Sequence, residues 1–357
     1  MPSTEIMRYR LAQQRLSQNP FRAPSEVVAW LGAVQSQDYL GAKWSLGLRT
    51  QGPTDEAVEQ AFNAGTILRT HVMRPTWHFV MPADIRWLLE LTAPRLHAAN
   101  ATRYRQLDLD ETLLRRSDEV IANALQGGQS LTRAELGAAL AEAGILAKGL
   151  RFIYILFHAE LDGIVCSGPR RGKQFTYALL DERAPHARSL PRDEALAELT
   201  RRYFTSHGPA TARDFAWWSG LTVADARAGL DMLASTMVHE VIDGQSYYFP
   251  ASMPPAAELS DSALLLPTFD EILVGYTSFD KTRSGGQDLS QKVAFNPRIV
   301  IGGRIVGSWR RTFEKGAVNV EIVPFTPLTA AQEAAITAAA QRYGDFVEMP
   351  VLYTLIR

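Results

Sequence analysis

Residues 210–230 read "ATARDFAWWSGLTVADARAGL". Two short helical patterns meet at Gly220, and the small Ala216 precedes that glycine by four positions. The glycine permits a tight inter-helix turn, and Thr222 caps the helix that follows. A further helical pattern covers residues near 192–206. Downstream, "MVHEVI" and "QSYYF" flank Asp243-Gly244, a strong hairpin signal. Helix, helix, helix, hairpin is the winged-helix order.

The same order occurs twice earlier in the chain, so repeats organise the sequence. The first unit has helical patterns near 5–17, 25–37 and 54–64, then "ILRTHV" and "TWHFVM" around "MRP". The second has patterns near 110–126, 132–143 and 149–162, then "GIVCSG" and "QFTYALL" around "PRRGK". In "SLTRAELGAAL", Thr132 and Glu135 have capping-box spacing. The tail differs. After a linker-like "SMPPAAELSDS" come four apolar β-runs, the helical "LTAAQEAAITAAAQRYG" and a last strand, "VEMPVLYTLIR". The expected fold class is α+β: three tandem winged-helix domains (1–95, 96–185 and 186–252) and a C-terminal antiparallel β-rich domain (262–357).

Length and composition agree with several domains. The 357 residues exceed one ordinary core, and 46% apolar with 21% charged residues is a globular composition. No apolar run nears the ~20 residues that span a bilayer. The N-terminus carries charges where a signal peptide would have its apolar stretch. A single cysteine, Cys166, excludes an internal disulfide and cysteine-rich metal centres, and a cytoplasmic setting is expected. The net charge of −1 argues against a general polyanion binder but leaves room for local basic patches.

Winged helices suggest DNA, yet the recognition-helix positions are poor groove readers. "TDEAVEQAF" in the first unit is acidic, and "TVADARAGLDML" in the third sets two Asp against one Arg. "AKGLRFIYILFHAEL" in the second is mostly apolar and reads as core. Acids at those positions repel phosphate. The basic residues lie in wings and tail instead: Arg74 in the first hairpin, Arg170, Arg171 and Lys173 in the second, and Arg310 and Arg311 among the late strands. A basic loop containing glycine suits backbone phosphate, although solvated turns would look the same.

One run carries unusual chemistry. In "WLGAVQSQDYLGAKWSLGLR", residues 30–49, an apolar stripe of Val27, Val28, Leu31 and Val34 leads to Gln35. Gln37 would lie roughly 200° around an ideal helix from Gln35, so both amides reach one site only if the helix ends or tightens there. Tyr39-Leu40-Gly41 is the expected end. The two amides could equally satisfy orphan carbonyls of a helix terminus. Asp38 reads as a helix-end carboxylate or as a catalytic base.

These stretches, with "LRTHVMRPTWHFVMPADIRWLL", "ELDGIVCSGPRRGKQFTYALL", "YFTSHGPATARDFAWWSGLT", "LLLPTFDEILVGY" and "NPRIVIGGRIVGSWRR", resemble the AlkZ/YcaQ-like winged-helix DNA glycosylase family over nearly the whole chain. The resemblance implies a C-shaped arrangement around DNA. It implies a catalytic Gln-x-Gln motif at Gln35 and Gln37, nearer the AlkZ type. Ser36 departs from the larger apolar residue usual between them, which would anchor the loop. The implied reaction is monofunctional hydrolysis of the N-glycosidic bond of N7-alkylated or bulky purines, including interstrand crosslinks. An N7-alkylated guanine already carries positive charge and leaves without a general acid, so neutral amides that hold water against C1′ suffice. Asp38 and Asp270 are possible catalytic support. Arg74, Trp77, Arg170, Arg171, Lys173 and Arg310 are the expected DNA contacts. Trp77 could stack on DNA or belong to the core.

The partner implied is double-stranded DNA carrying alkylated purines, with no membrane, no obligate protein partner, no metal and no cofactor. His71 and His78 lack a third ligand at metal spacing. "SGGQ" and "IGGR" have neither P-loop nor dinucleotide spacing. Bound to DNA, the protein would be nucleoid-associated. The competing reading is a non-enzymatic winged-helix DNA-binding protein or transcriptional regulator.

Overall fold

A computed structural model describes residues 2, 5–17, 20–256, 258, 261–277 and 296–356. The stretch "SGGQ" lies outside them. The first unit contains α1 (Ile6–Gln13), α2 (Pro24–Leu31), β1 (Val34–Gln35), α3 (Tyr39–Leu48), α4 (Asp55–Ala64), β2 (Leu68–Val72) and β3 (Thr76–Val80). Its small sheet has the order β1-β3-β2. The expected helix through residue 37 stops at Leu31. Gly32, at φ +84°, donates its N–H to the Val28 carbonyl and turns the chain out of the helix. Val34 and Gln35 then pair with Phe79 and His78. Tyr39 begins a helix instead of ending one, because Asp38 accepts the Gly41 N–H as its N-cap.

A long helix, α5 (Ile85–Gln106), leads into the second unit, and the expected boundary at 95/96 falls within it. There follow α6 (Glu111–Leu125), β4 (Leu131–Thr132), α7 (Arg133–Glu142), α8 (Gly149–Leu161), β5 (Val165–Ser167), β6 (Thr176–Leu179) and the short α9 (Leu180–Arg183). Thr132 and Glu135 close the capping box. Phe152, Ile155, Leu156 and Phe157 of α8 are buried, as a core helix requires.

The third unit contains α10 (Arg192–His207), α11 (Ala212–Ser219), α12 (Val223–Met232), β7 (Met237–Ile242) and β8 (Gln245–Pro250). Asp243 and Gly244 both have positive φ, as a two-residue hairpin turn of this twist demands. Gly220 serves two purposes. Its φ of +72° makes the turn, and a Cβ there would sit 2.3 Å from the Met73 carbonyl oxygen. The third unit therefore presses backbone against the first hairpin.

The tail comprises β9 (Ala263–Leu266), α13 (Glu271–Val274), β10 (Arg298–Ile301), β11 (Arg304–Glu314), β12 (Ala317–Pro324), α14 (Ala330–Val347) and β13 (Val351–Leu355). Its five strands take the order β13-β12-β11-β10-β9. The expected antiparallel sheet is mixed. β13 pairs in parallel with β12, because α14 carries the chain back along the sheet before β13 enters.

Buried apolar side chains form two clusters. One runs continuously through the first unit, the third unit and the C-terminal sheet, and includes Trp44, Trp87, Trp218 and Trp309. The other is confined to residues 104–165 of the second unit. No described helix is long and apolar enough to cross a membrane.

Candidate active site

Extended backbone, not a helix end, sets the geometry of the two amides. After Gln35 the ladder continues, with Ser36 N–H donating to the Trp77 carbonyl at 2.7 Å. Alternate residues of an extended chain share a side, so Gln35 and Gln37 both address the 74–77 hairpin. Gln35 is 6% exposed and accepts from Arg74 Nη2 at 2.9 Å through its Oε1. Gln37 is exposed, and its Oε1 accepts from the Trp77 N–H at 3.3 Å. It stands at the rim of a cavity of about 500 Å³ whose wall includes Arg69, Trp77, Arg133, Phe175 and Tyr177.

Ser36 is fully buried, and a polar clamp holds it in place of the apolar anchor it lacks. Arg69 donates to the Ser36 carbonyl from Nη2 at 3.0 Å and to its hydroxyl from Nε at 3.3 Å. The guanidinium lies 4.2 Å from the Trp77 ring centre and 4.7 Å from that of Phe175. Burial lowers its pKa to about 10, which leaves it charged. A planar, weakly hydrated cation between aromatic faces suits this position better than an ammonium would.

Behind Gln35 stands Glu271, the first residue of α13. Its Oε1 accepts the Gln35 backbone N–H at 2.7 Å and its Oε2 accepts the Trp218 indole N–H at 2.8 Å. His207 Nε2 lies 3.7 Å from Oε2. Burial acts to raise this carboxyl, but His207, Arg74 and the Gln35 N–H outweigh it and hold Glu271 well below the usual range. It is a fixed negative charge, not a proton acceptor. The half-exposed Trp217 donates to the Val274 carbonyl, which Arg74 Nη1 also approaches.

Several expected contacts are placed differently. Arg74 turns inward onto Gln35 and the Val274 carbonyl. Asp38 caps α3 and pairs with Arg311 at 3.0 Å, so its oxygens are engaged by the two elements it joins. Asp270 is wholly buried. Arg49 grips it through two bonds of 2.7 and 2.8 Å, and Ser45 and the Ile272 N–H complete its shell. It ties α3 to the tail. Arg170 pairs with Glu59 of the acidic α4 and is largely buried, and Arg171 pairs with Glu135. Both acids are remote in sequence, so the basic turn looked unopposed. Lys173 and Arg310 are exposed, and their side chains have no hydrogen-bond or ion-pair partner among the described residues.

Trp77 is half-buried: its ring centre lies 3.9 Å from that of His71, the planes tilted by 40°, and His71 Nδ1 lies 2.5 Å from the buried Glu160. His78 is fully buried beside the Thr76 carbonyl, so the two histidines do not converge. Arg69 and Glu271 were not singled out from sequence. Strand alternation from His71, opposite Trp77, could have flagged Arg69. Nothing local distinguishes Glu271 from Asp270.

A model of the family described as "DNA glycosylase AlkZ-like" matches residues 28–346. The chain belongs to the AlkZ-like DNA glycosylase family. Membership places it among the enzymes that hydrolyse N-glycosidic bonds in DNA. The chain is 26% identical over 331 residues to an interstrand DNA cross-link repair glycosylase of Streptomyces sahachiroi, covering 85% of this chain and 86% of that one. Its fold matches the solved structure of the DNA glycosylase AlkZ of that organism, with a TM-score of 0.79 and 21% identity over 99% of this chain and 100% of the other.

Proposed function

We propose that this glycosylase excises N7-alkylated or bulky alkylpurines from double-stranded DNA, crosslinked purines included. Gln37 and Gln35 would form the reacting pair. The observation that carries this reading is the unequal setting of the amides: Gln35 locked from behind, Gln37 exposed at the rim of a cavity large enough for a nucleotide.

With Oε1 held by Arg74, the flip of the Gln35 amide is fixed, and Nε2 is the end left to face a reactant. Gln37 Oε1 has one long bond to Trp77 N–H, so its remaining lone pair can accept a hydrogen bond from the attacking water, whose proton passes to solvent once C1′ is bonded. Neither amide is a base. The pair therefore orients water against C1′ and serves leaving groups that depart unaided, as a cationic N7-alkylpurine does. The buried Glu271 carboxylate adds a negative potential behind the pair, which favours an oxocarbenium-like transition state.

The three helix–hairpin units would act as winged helices arranged with the C-terminal sheet as a C around the duplex. Trp77 would face the DNA from the cavity wall, and Lys173 and Arg310, exposed and without an ion-pair partner among the described residues, would contact phosphate. A bulky lesion read in the groove would need no base flipping. Cytoplasmic action on the nucleoid fits this reading.

The test is alkali cleavage of abasic sites after incubation with duplex carrying N7-methylguanine or a nitrogen-mustard crosslink. Wild type should yield product and Gln37→Ala should not. Absence of product from both proteins on every alkylated duplex overturns the reading.

A further inference from the structure

Helices α5 and α8 bring together side chains that the proposed reaction does not use. His97 Nε2 lies 2.8 Å from Asp162 Oδ1, and His158 Nε2 lies 3.6 Å from Asp162 Oδ2. One donor atom from each of the three lies within 4.8 Å of the others. Tetrahedral zinc, with bonds near 2.0–2.2 Å, spaces its ligands by about 3.3 Å, which these separations bracket. The far nitrogens of both rings face polar groups. His97 Nδ1 is 3.3 Å from the Tyr104 hydroxyl, and His158 Nδ1 is 3.2 Å from Asp118 Oδ2, an electrostatic contact more than an aligned hydrogen bond. Without an ion, His97 Nε2 faces the Asp162 carboxylate as a donor, and an ion would take the place of that proton.

We propose that His97, His158 and Asp162 bind one divalent transition-metal ion, with Zn²⁺ best suited to two imidazoles and a carboxylate. With neutral imidazoles, Asp118 and Asp162 leave the cluster negative, and Arg86, which lines the adjoining crevice of about 370 Å³, is turned onto Asp181. Side-chain exposure rises from 15% at His158 through 27% at His97 to 40% at Asp162, so the ion has a path from solvent and room for water ligands. The ion would clip α5 to α8. Phe157, beside His158, packs 4.9 Å from His71, which in turn packs against Trp77. The clip therefore braces the helix behind the cavity wall.

The experiment titrates the full chain, stripped with chelator, with Zn²⁺ near neutral pH against a chromophoric chelator. Visible absorption of bound Co²⁺ gives a second readout. The expected result is a single ion per chain, a raised Tm, and affinity weakened tenfold or more in His158→Ala and in Asp162→Asn. Asp118→Asn, which removes a charge beside His158 Nδ1, should weaken binding about tenfold. His186→Ala, at an exposed histidine elsewhere, should change nothing. If wild type shows no saturable binding below ~100 μM Zn²⁺, a threshold corresponding to about −5.5 kcal/mol, the proposal fails. It fails equally if the folded His158→Ala, Asp162→Asn and Asp118→Asn variants bind as wild type does. The cluster would then be an ion-pair network alone.

Discussion

Arg74→Ala separates two roles for one cation. Arg74 Nη2 donates to Gln35 Oε1 at 2.9 Å, and Nη1 reaches the Val274 carbonyl at 3.4 Å. A hydrogen bond to a charged group contributes about 1.5–3 kcal/mol. If that interaction holds Gln35 in its reactive orientation, its loss appears in the barrier. At about 1.4 kcal/mol per tenfold, excision slows on the order of 10- to 100-fold. DNA affinity should hardly change, because the guanidinium points into the protein. The assay is single-turnover release of N7-methylguanine at saturating enzyme, with duplex affinity measured across a salt series. Arg74→Lys should recover only part of the rate, since an ammonium cannot serve both acceptors with a planar fork. The opposite pattern refutes the positioning role: wild-type rate at saturation, weaker binding, and a salt slope reduced by about 1, as a lost phosphate contact gives.

Asp270→Ala strands the buried Arg49 and should cost about 3–5 kcal/mol of stability. At about 2.1 cal/mol/K per residue over 357 residues, that lowers a cooperative Tm by about 4–7 °C. Lost excision with an unchanged melt would return Asp270 to the reaction. Burial and the nearby Arg74 push His78 down to about 3, so it is neutral in the fold. Its contribution is intact above the unfolded value near 6.5 and is lost as pH falls from there towards 3, by up to ~1.4 kcal/mol per pH unit. Urea unfolding between pH 7 and pH 4 should show this slope flattened in His78→Gln, and an unaltered slope contradicts it. Lys173→Ala with Arg310→Ala should weaken duplex binding and reduce its salt slope by about 2. Arg170→Ala should act mainly on stability, through its ion pair with Glu59, and a salt slope altered as much as in the double variant would count against that division.

Local rules set much of this molecule. Thr132, Thr222 and Asp243-Gly244 cap helices and turn a hairpin by chemistry complete within a few residues, and those elements stand where their spacing put them. The order of helices and hairpin in the second and third units is legible for the same reason, but α3 and the long α5 are not. The amide pair was visible too, and the whole-chain resemblance gave it a role that spacing alone left open. Partners remote in sequence could not be read. Gln35 meets Glu271 across 236 positions and Arg49 meets Asp270 across 221, so which of two adjacent acids backs the amides is decided by packing alone. The same holds for Arg170 on Glu59, for Arg311 on Asp38, and for the parallel entry of β13 after α14. A charge in a turn looks free until a distant element brings its counter-ion. An extended Gln-Ser-Gln looks like a helix end until β3 supplies the backbone partner that makes it a strand.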